Sequence, residues 1–294
     1  KVLWGSAPHP AGKGPAPSQT HPVNFYLSIL SRLKWGALVW TLVLPGVGTG
    51  VAEEWRLGAA PGEHLQYTIR WLGAPAATAA MQVESGPGDT YTVQTTFATM
   101  GATRLIRAID DSLTAEGRYQ EAGFMAQRFV KDQRRGEQIR WTRYHFDREM
   151  HQVQRLHRSQ ADRPEEATTI PFAMAQITDP LSALYAVRAW SDLLPDQTLA
   201  RWVVDGEKVF CLTMTVGGGR LLQTPLGTFP VFSLQVVVEN AEKRRYKGPI
   251  QLWLTDDHRR IPVQVEAQLS IGTVVAELTA YEDGRGNSRS VQEH

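Results

Sequence analysis

The chain has 294 residues, of which 42% are hydrophobic, and its 31 Lys and Arg residues nearly balance 30 Asp and Glu residues. A formal net charge of +1 argues against a general nucleic-acid binder, whose domain is usually strongly basic. The single cysteine, Cys211, excludes an internal disulfide, and its apolar neighbours indicate a small buried side chain rather than a nucleophile.

The N-terminal region has the pattern of a signal peptide. In residues 23–52, Arg32 and Lys34 precede the apolar run WGALVWTLVL, and small residues lead up to Ala52. We predict cleavage after Ala52 and a periplasmic location. An uncleaved membrane anchor is the alternative, although the run is shorter than the ~20 residues that a bilayer requires. Residues 1–22 lie upstream of the true start or form a disordered leader.

The mature chain is predicted to be one β-rich domain, residues 53–282, with a disordered polar tail at 283–294. It has 27 basic and 30 acidic residues, because residues 1–52 contain four basic residues and no acid. No second long apolar stretch follows the signal sequence, so we predict no stable transmembrane segment. The net charge of the mature chain, 27 basic minus 30 acidic residues or −3, predicts no nucleic-acid partner.

The first strands are indicated by a two-residue period. Three runs between residues 65 and 97 alternate apolar and polar side chains, with turn residues between them, which is typical of an antiparallel meander. The segment Met100–Ile109 fits neither the strand nor the helix period. A short helix and an irregular crossing both remain open there.

The middle of the chain is polar and basic. Residues 128–163 contain ten Lys and Arg residues against five acidic ones, over strands predicted near 124–130, 138–146 and 150–156. This pattern fits an anion-binding face, with Arg140 and Arg143 as candidates, or solvated strands whose charges pair across the ladder. Because Arg140 and Arg143 fall on opposite faces, we predict weak, salt-sensitive binding to anionic lipid or polysaccharide. We predict no metal site and no cofactor.

A helix is predicted over Asp179–Leu194. Asp179 suits the N-cap, Pro180 suits the first helical position, and Pro195 would end the helix. Its apolar residues cover more than one side, so we expect it to fill the hollow of a curved sheet. Arg188 would then reach either a carboxylate or solvent.

The last third reads as a further meander. Gly217-Gly218-Gly219 is predicted to be a hairpin loop, since it lacks the Lys and the helix of a phosphate-binding loop. The segment Lys247–Leu269 alternates on both sides of a charged centre, which predicts a hairpin with Pro262 at a strand start, bulge or edge. The predicted fold is mainly β: a large curved antiparallel sheet, or an open barrel-like meander, with one buried helix.

Several stretches resemble the bacterial exported proteins grouped as domain of unknown function 3108. The most specific are DPLSALYAVR and the hairpin WLTDD–RIPV. The positions that match the family pattern are Asp179, Pro180, Tyr185, Arg188, Gly227, Trp253, Thr255, Asp256, Asp257 and Pro262. The resemblance implies an exported, β-rich envelope protein, similar in outline to periplasmic lipoprotein carriers, and implies no activity.

Two functions follow as hypotheses. The first is a non-catalytic envelope protein that binds a lipid, another amphiphile or an envelope protein in a concave sheet, with Tyr185, Arg188, Trp253, Asp256 and Asp257 as ligand or structural candidates. The second is a periplasmic hydrolase that uses Asp256, Asp257 and His258. A tight turn splays neighbouring side chains apart and Asp is a common turn residue, so the first hypothesis is favoured and no catalytic residue is assigned.

Overall fold

The computed structural model describes residues 61–120, 123–173, 177–190, 193–240, 248, 250–269, 272–284 and 286–290. The predicted leader, signal peptide and cleavage site lie outside these residues. The first half of the described chain contains the strands β1 (Glu63–Trp71), β2 (Ala74–Gly86), β3 (Thr90–Thr99), β4 (Ile109–Gln120), β5 (Gly123–Arg135), β6 (Gln138–Asp147), β7 (Gln152–Arg158) and β8 (Glu166–Pro171).

The second half contains β9 (Ile177–Thr178), β10 (Thr198–Asp205), β11 (Lys208–Thr224), β12 (Gly227–Asn240), β13 (Ile250–Thr255), β14 (Pro262–Leu269), β15 (Gly272–Asp283) and β16 (Ser288–Ser290). Two helices occur in the described residues, α1 (Gly101–Ile106) and α2 (Pro180–Arg188). The segment after Met100, whose type the sequence left open, is therefore a short helix.

All sixteen strands belong to one open sheet. Its order is β8-β7-β6-β5-β4-β3-β2-β1-β15-β14-β13-β12-β11-β10-β9, and β16 pairs with the end of β15. Every pairing is antiparallel except that of β9 with β10. β1 lies between β2 and β15, with Glu63 opposite Asp283 and Trp71 opposite Val274. The prediction of a mainly β, antiparallel fold is confirmed.

Helix α2 lies inside the curve of this sheet. Tyr185 belongs to an apolar cluster with side chains of β3 to β7, Ala183 to a cluster with residues of β10 and β11, and Val187 to a cluster with residues of β12 and β13. These strands are far apart in the sheet order, so one short helix can contact all of them only if the sheet curves around it. The buried position of the helix follows from its apolar residues on several sides.

The N-terminus of α2 is capped as predicted. Asp179 Oδ1 accepts hydrogen bonds from the backbone N–H groups of Leu181 and Ser182, both at 2.9 Å, and Pro180 occupies the first turn. These bonds satisfy two of the helix's free N–H groups. The helix therefore begins where the sequence indicates.

The predicted end of this helix at Leu194 is wrong, because the helix ends at Arg188. The Arg260 guanidinium donates to the Arg188 carbonyl at 3.3 Å, so a side chain from another part of the chain satisfies a terminal acceptor. Trp190 N–H then bonds to the Val187 carbonyl at 3.2 Å, a three-residue spacing that tightens the last turn. The helix therefore ends before Pro195, with a tertiary hydrogen bond at its last residue.

The predicted hairpin loop at Gly217-Gly218-Gly219 is also wrong. β11 continues through these glycines, and its register with β12 shifts between Val216, opposite Leu234, and Gly219, opposite Phe232. Gly217 and Gly218 therefore form a bulge opposite Ser233. The turn lies at Pro225-Leu226, where the Thr224 hydroxyl donates to the Gly227 carbonyl at 2.9 Å.

The hairpin of β13 and β14 is confirmed. Leu252, Leu254, Ile261 and Val263 are buried, and Pro262 begins β14 beside a register shift. The segment after Asp283, predicted to be a disordered tail, includes the short strand β16. Asp283 there accepts a hydrogen bond of 2.6 Å from the Asn287 amide.

The glycine bulge gives a matched test of close packing. A Cβ atom at Gly217 would lie 2.2 Å from the Ser233 hydroxyl oxygen, whereas a Cβ at Gly218 would have nothing within 4 Å. We expect Gly217→Ala to lower the free energy of unfolding by about 1–3 kcal/mol, as overpacking does, and Gly218→Ala to change it by less than about 0.5 kcal/mol. Urea unfolding measures both. Adding Ser233→Ala to Gly217→Ala should restore part of the loss, and equal costs at the two glycines would contradict the bulge geometry.

Candidate functional site

The C-terminal end of α2 is fixed by a buried ion pair. The two terminal guanidinium nitrogens of Arg188 donate to the two carboxylate oxygens of Glu63 on β1, both at 2.7 Å, and the side chains are 0% and 4% exposed. One of these nitrogens also donates to the Arg259 carbonyl at 3.0 Å. Burial alone would lower the pKa of Arg188, but the charge and hydrogen bonds of Glu63 outweigh it and raise that pKa. Of the two alternatives for Arg188, the structure shows the carboxylate.

Tyr185 belongs to the same buried region. Its ring centroid lies 4.9 Å from the Arg188 guanidinium, and burial raises the pKa of its hydroxyl. Both side chains are inaccessible from solvent. Tyr185 and Arg188 therefore hold the helix against β1 and the hairpin, and neither is placed to contact a ligand from solvent.

The N-terminal end of α2 has a second polar anchor. The Ser182 hydroxyl donates to Asp179 at 2.6 Å and lies 2.7 Å from the Tyr91 hydroxyl on β3. Burial raises the pKa of Asp179, although its hydrogen bonds to Ser182 and Leu181 partly oppose this shift. All three side chains are buried, so this Ser–Asp–Tyr group joins the helix to the sheet.

The hairpin tip places the three residues of the hydrolase hypothesis in different environments. Asp257 accepts from the Thr255 hydroxyl at 2.8 Å and from the Arg259 backbone and guanidinium at 3.0 and 2.6 Å. Burial would raise the pKa of Asp257, but the hydrogen bonds and charge of Arg259 hold it below its ordinary value. Asp256 and His258 are exposed. The carboxylate of Asp257 thus organises the turn.

Trp253 lies away from that turn, beside Arg220. The Arg220 guanidinium lies 3.6 Å from the indole ring centroid. The same Trp253 borders an open groove of about 360 Å³ between β12, β13 and β14, lined by Ser233, Gln251, Trp253, Glu266 and Gln268. This cation–π contact fixes the side chain that the sequence singled out.

A set of basic side chains lies on the concave face of β5, β6 and β7. We call this set the cationic strip; its members are Lys131, Arg135, Arg140, Arg155 and His157. Side chains two residues apart on a strand share a face. Lys131 follows the core residue Phe129 by two positions, Arg155 follows the core residue Val153, and Arg140 lies four positions before Tyr144. The strip therefore continues the face that forms the apolar core.

The cationic strip has fewer acidic partners than basic side chains. Lys131 pairs with Asp205, and Arg135 lies 3.5 Å from Asp111. Arg155 pairs at 3.3 Å with a Glu207 carboxylate that is 58% exposed. Among the residues that the structure describes, Arg140 has a hydrogen bond of 3.4 Å to the Gln138 side chain and no carboxylate at ion-pair distance.

The electrostatics show that these cations influence one another. Burial lowers the pKa of His157, and the charges of Arg155 and Arg140 lower it further. Burial also lowers the pKa of Arg135; Asp111 opposes this shift while Arg140 and Arg107 add to it. The strip is thus a concentration of positive charge on a partly desolvated surface.

Arg140 and Arg143 lie on opposite faces of β6, as the alternation predicts. Arg140 is half-buried in the strip, whereas Arg143 is exposed and stacks on Trp141 with 4.5 Å between the guanidinium carbon and the ring centroid. The sequence did not reveal the contribution of the neighbouring strands. Extending the two-residue period from Phe129 and Val153 would have placed Lys131 and Arg155 on the face of Arg140.

Within the described ranges, no three His, Cys, Asp or Glu side chains are grouped as a metal ion requires. None of the described helices is long and apolar enough to span a bilayer.

Residues 66–279 match the family described as Protein of unknown function (DUF3108). The chain belongs to this family. The match includes α2, the glycine bulge, the hairpin and the cationic strip, so all of them lie within the family's domain. No curated protein matches the chain.

The structure of this DUF3108 protein matches solved structures at low sequence identity. A beta-barrel-like protein of domain of unknown function DUF1849 from Brucella abortus matches with 12% identity and a TM-score of 0.51, covering 74% of this chain and 96% of that one. The hypothetical protein CT021 from Chlamydia trachomatis matches with 11% identity and a TM-score of 0.33, covering 82% of this chain and 96% of that one. At 12% identity, the likeness to the Brucella protein concerns the fold alone.

The buried ion pair predicts that one substitution to a neutral side chain lowers the stability of the fold strongly. Glu63→Gln keeps the shape of the side chain but leaves the Arg188 charge uncompensated in the core. We expect the free energy of unfolding to fall by about 3–5 kcal/mol. Glu277→Gln is the matched control, because Glu277 on β15 pairs with Arg70 on β1 at 2.9 Å with side chains 24% and 40% exposed. That change should cost at most about 1 kcal/mol. Similar costs in urea unfolding for both variants would rule out the anchoring role.

The half-buried histidine predicts a dependence of stability on pH. Because the pKa of His157 is lowered in the fold, the unfolded chain takes up this proton first as pH falls below about 6.5. The contribution of His157 to the free energy of unfolding is therefore fully present above that pH and is lost as pH falls toward 5. We expect urea unfolding of His157→Gln to show a smaller decrease between pH 6.5 and 5 than the parent protein. Identical slopes would show that His157 titrates alike in both states.

Proposed function

We propose that this DUF3108 protein is an exported, non-catalytic protein of the cell envelope that binds an amphiphilic ligand on the concave side of its sheet. The main support for the proposal is that apolar side chains are followed by basic side chains along the concave face of the sheet. On β6 this face runs from the buried Tyr144 to the half-buried Arg140, and on β7 it runs from the buried Val153 to the half-buried His157. An amphiphile needs apolar and polar surfaces side by side.

The arrangement of the other polar groups supports a non-catalytic role. General acid–base chemistry needs side chains within reach of each other and of a substrate. Asp179 and Ser182 are enclosed in the helix anchor, and Asp257 accepts several hydrogen bonds within its own turn. These groups have structural roles that account for their positions.

Export is supported by the pattern at residues 23–52, with Arg32 and Lys34 before an apolar run and small residues before Ala52. The likeness to the Brucella protein supports the curved sheet and adds nothing about a ligand. A mature protein released after Ala52 would operate in the periplasm, where amphiphiles of the envelope are available for binding.

Native mass spectrometry tests this proposal. The protein purified from the periplasm without detergent should carry a bound mass of several hundred daltons, on the order of one amphiphile. Organic extraction should remove that mass, and titration with dodecyl maltoside below its micellar concentration should show a saturable site. The matched control is the same protein after extraction and refolding. Absence of a co-purifying mass, together with absence of any saturable amphiphile binding, would overturn the proposal.

A further inference from the structure

The register of the strands places several long side chains of the cationic strip in neighbouring positions around Arg140. Gln133 on β5 lies opposite Arg140 on β6, so Arg140 is the diagonal neighbour of both Lys131 and Arg135. Thr142 lies opposite His157 on β7, so His157 is also diagonal to Arg140. Diagonal neighbours on one face are about 7–8 Å apart, within reach of long side chains. Arg140 therefore lies among three basic or titratable side chains on the two flanking strands, β5 and β7.

The positive charge that lacks a buried acidic partner lies on the β6 and β7 side of the strip. Asp205 and Asp111 already pair with Lys131 and Arg135, so these two carboxylates are occupied at the β5 side. Arg140 has no acidic partner among the described residues, and the Glu207 carboxylate that pairs with Arg155 is 58% exposed. An added anion at Arg140 would therefore meet uncompensated positive charge.

Burial makes this surplus costly for the protein alone. The side chains of Arg135 and Arg155 are 6% and 8% exposed. The Nε atoms of Arg135, Arg140 and Arg155 are buried and have no hydrogen-bond partner in the described structure. A buried donor without a partner destabilises a fold, and so does a partly desolvated charge without a counterion. A bound anion would offset both costs.

The donors favour a phosphate group over a carboxylate. A carboxylate presents two oxygens in one plane, which suits one guanidinium. Here the Arg140 guanidinium on β6 and the His157 imidazole on β7 lie on adjacent strands. The buried Thr142 hydroxyl is 3.0 Å from His157 Nδ1, which is also 3.1 Å from the Trp141 carbonyl oxygen. A phosphate group has oxygens in several directions and can accept from donors on different strands.

We infer that the cationic strip is a phosphate-binding site centred on Arg140, with Arg155 and His157 beside it, which takes a phosphate group on the concave side of the sheet. The phosphate is either free or part of an amphiphile's headgroup, and in the second case the inference rests on the proposed function. Lys131 and Arg135, which pair with Asp205 and Asp111, lie next to this site on β5 and are not counted among its free cations. This site differs from the weak surface binding that the sequence predicted, because β5 and β7 add cations to the face of Arg140.

Isothermal titration calorimetry at physiological ionic strength tests the site with three probes: inorganic phosphate, dodecyl phosphate and dodecyl maltoside, the last two below their micellar concentrations. Arg140→Gln should weaken the affinity for both phosphate probes at least about tenfold and leave that for dodecyl maltoside unchanged. Arg143→Gln is the matched control, since Arg143 is on the opposite face of the same strand. It should alter each affinity less than about twofold.

The probes separate the two proposals. Tighter binding of dodecyl phosphate than of inorganic phosphate, with both weakened by Arg140→Gln, supports the site and the amphiphile function together. Binding of both phosphate probes with equal affinity, without binding of dodecyl maltoside, supports the site and overturns the amphiphile function. Equal affinities for dodecyl phosphate and dodecyl maltoside, unaffected by Arg140→Gln, overturn the site and leave the amphiphile function standing.

A stability measurement keeps the inference testable if Arg140→Gln folds poorly. Phosphate should raise the Tm of the unaltered protein above its value in sodium chloride of equal ionic strength, because a ligand that binds only the folded state stabilises it. Arg155→Gln should diminish this rise, and Arg143→Gln should preserve it. An identical Tm in phosphate and chloride would overturn the site.

Discussion

The buried pair of Arg188 and Glu63 is the contact on which the arrangement of helix and sheet depends. Apolar contacts would keep α2 inside the curved sheet, but they are non-directional and would tolerate several positions along its axis. The ion pair fixes the C-terminal end against β1, and the hydroxyl contact between Ser182 and Tyr91 fixes the other end against β3. A misplaced helix would leave a buried charge without its partner, which is strongly destabilising. Two polar anchors thus select one packing from many that hydrophobicity alone would allow.

Short sequence patterns were sufficient to locate the β13 and β14 hairpin and the start of α2. The two-residue period located the β13 and β14 hairpin, and the Asp179-Pro180 pair located the start of α2, because both signals depend on nearest neighbours. The errors involved contacts between distant segments. The apolar pattern continues past Arg188, but the Arg260 guanidinium from the hairpin occupies the carbonyl there. The glycine run reads as a loop until Ser233 is seen packed against Gly217.

The candidate site was predictable only in part for the same reason. Alternation along β6 separates Arg140 from Arg143, since one strand determines its own faces. Whether Lys131 and His157 join Arg140 depends on the register of three strands, and no short pattern specifies that register. Glu63 lies 125 residues from Arg188, so the sequence could offer Arg188 a choice between carboxylate and solvent without deciding it. The positions of these basic residues in the sheet, rather than their residue types, bring their positive charges together.

The pairing of β1 with β15 has a consequence for how the chain folds as it is made. β1 is the first described strand to be synthesised and β15 is nearly the last. One edge of β1 therefore stays unpaired until residues 272–283 have been synthesised. Until then, the meander of β1 to β8 presents the backbone of Glu63–Trp71 as an open edge, which can pair with another chain. Contacts of such high sequence separation form slowly. The half-made protein is thus most vulnerable to aggregation at the strand that later lies near the middle of its sheet, and a holding chaperone would protect it most effectively there.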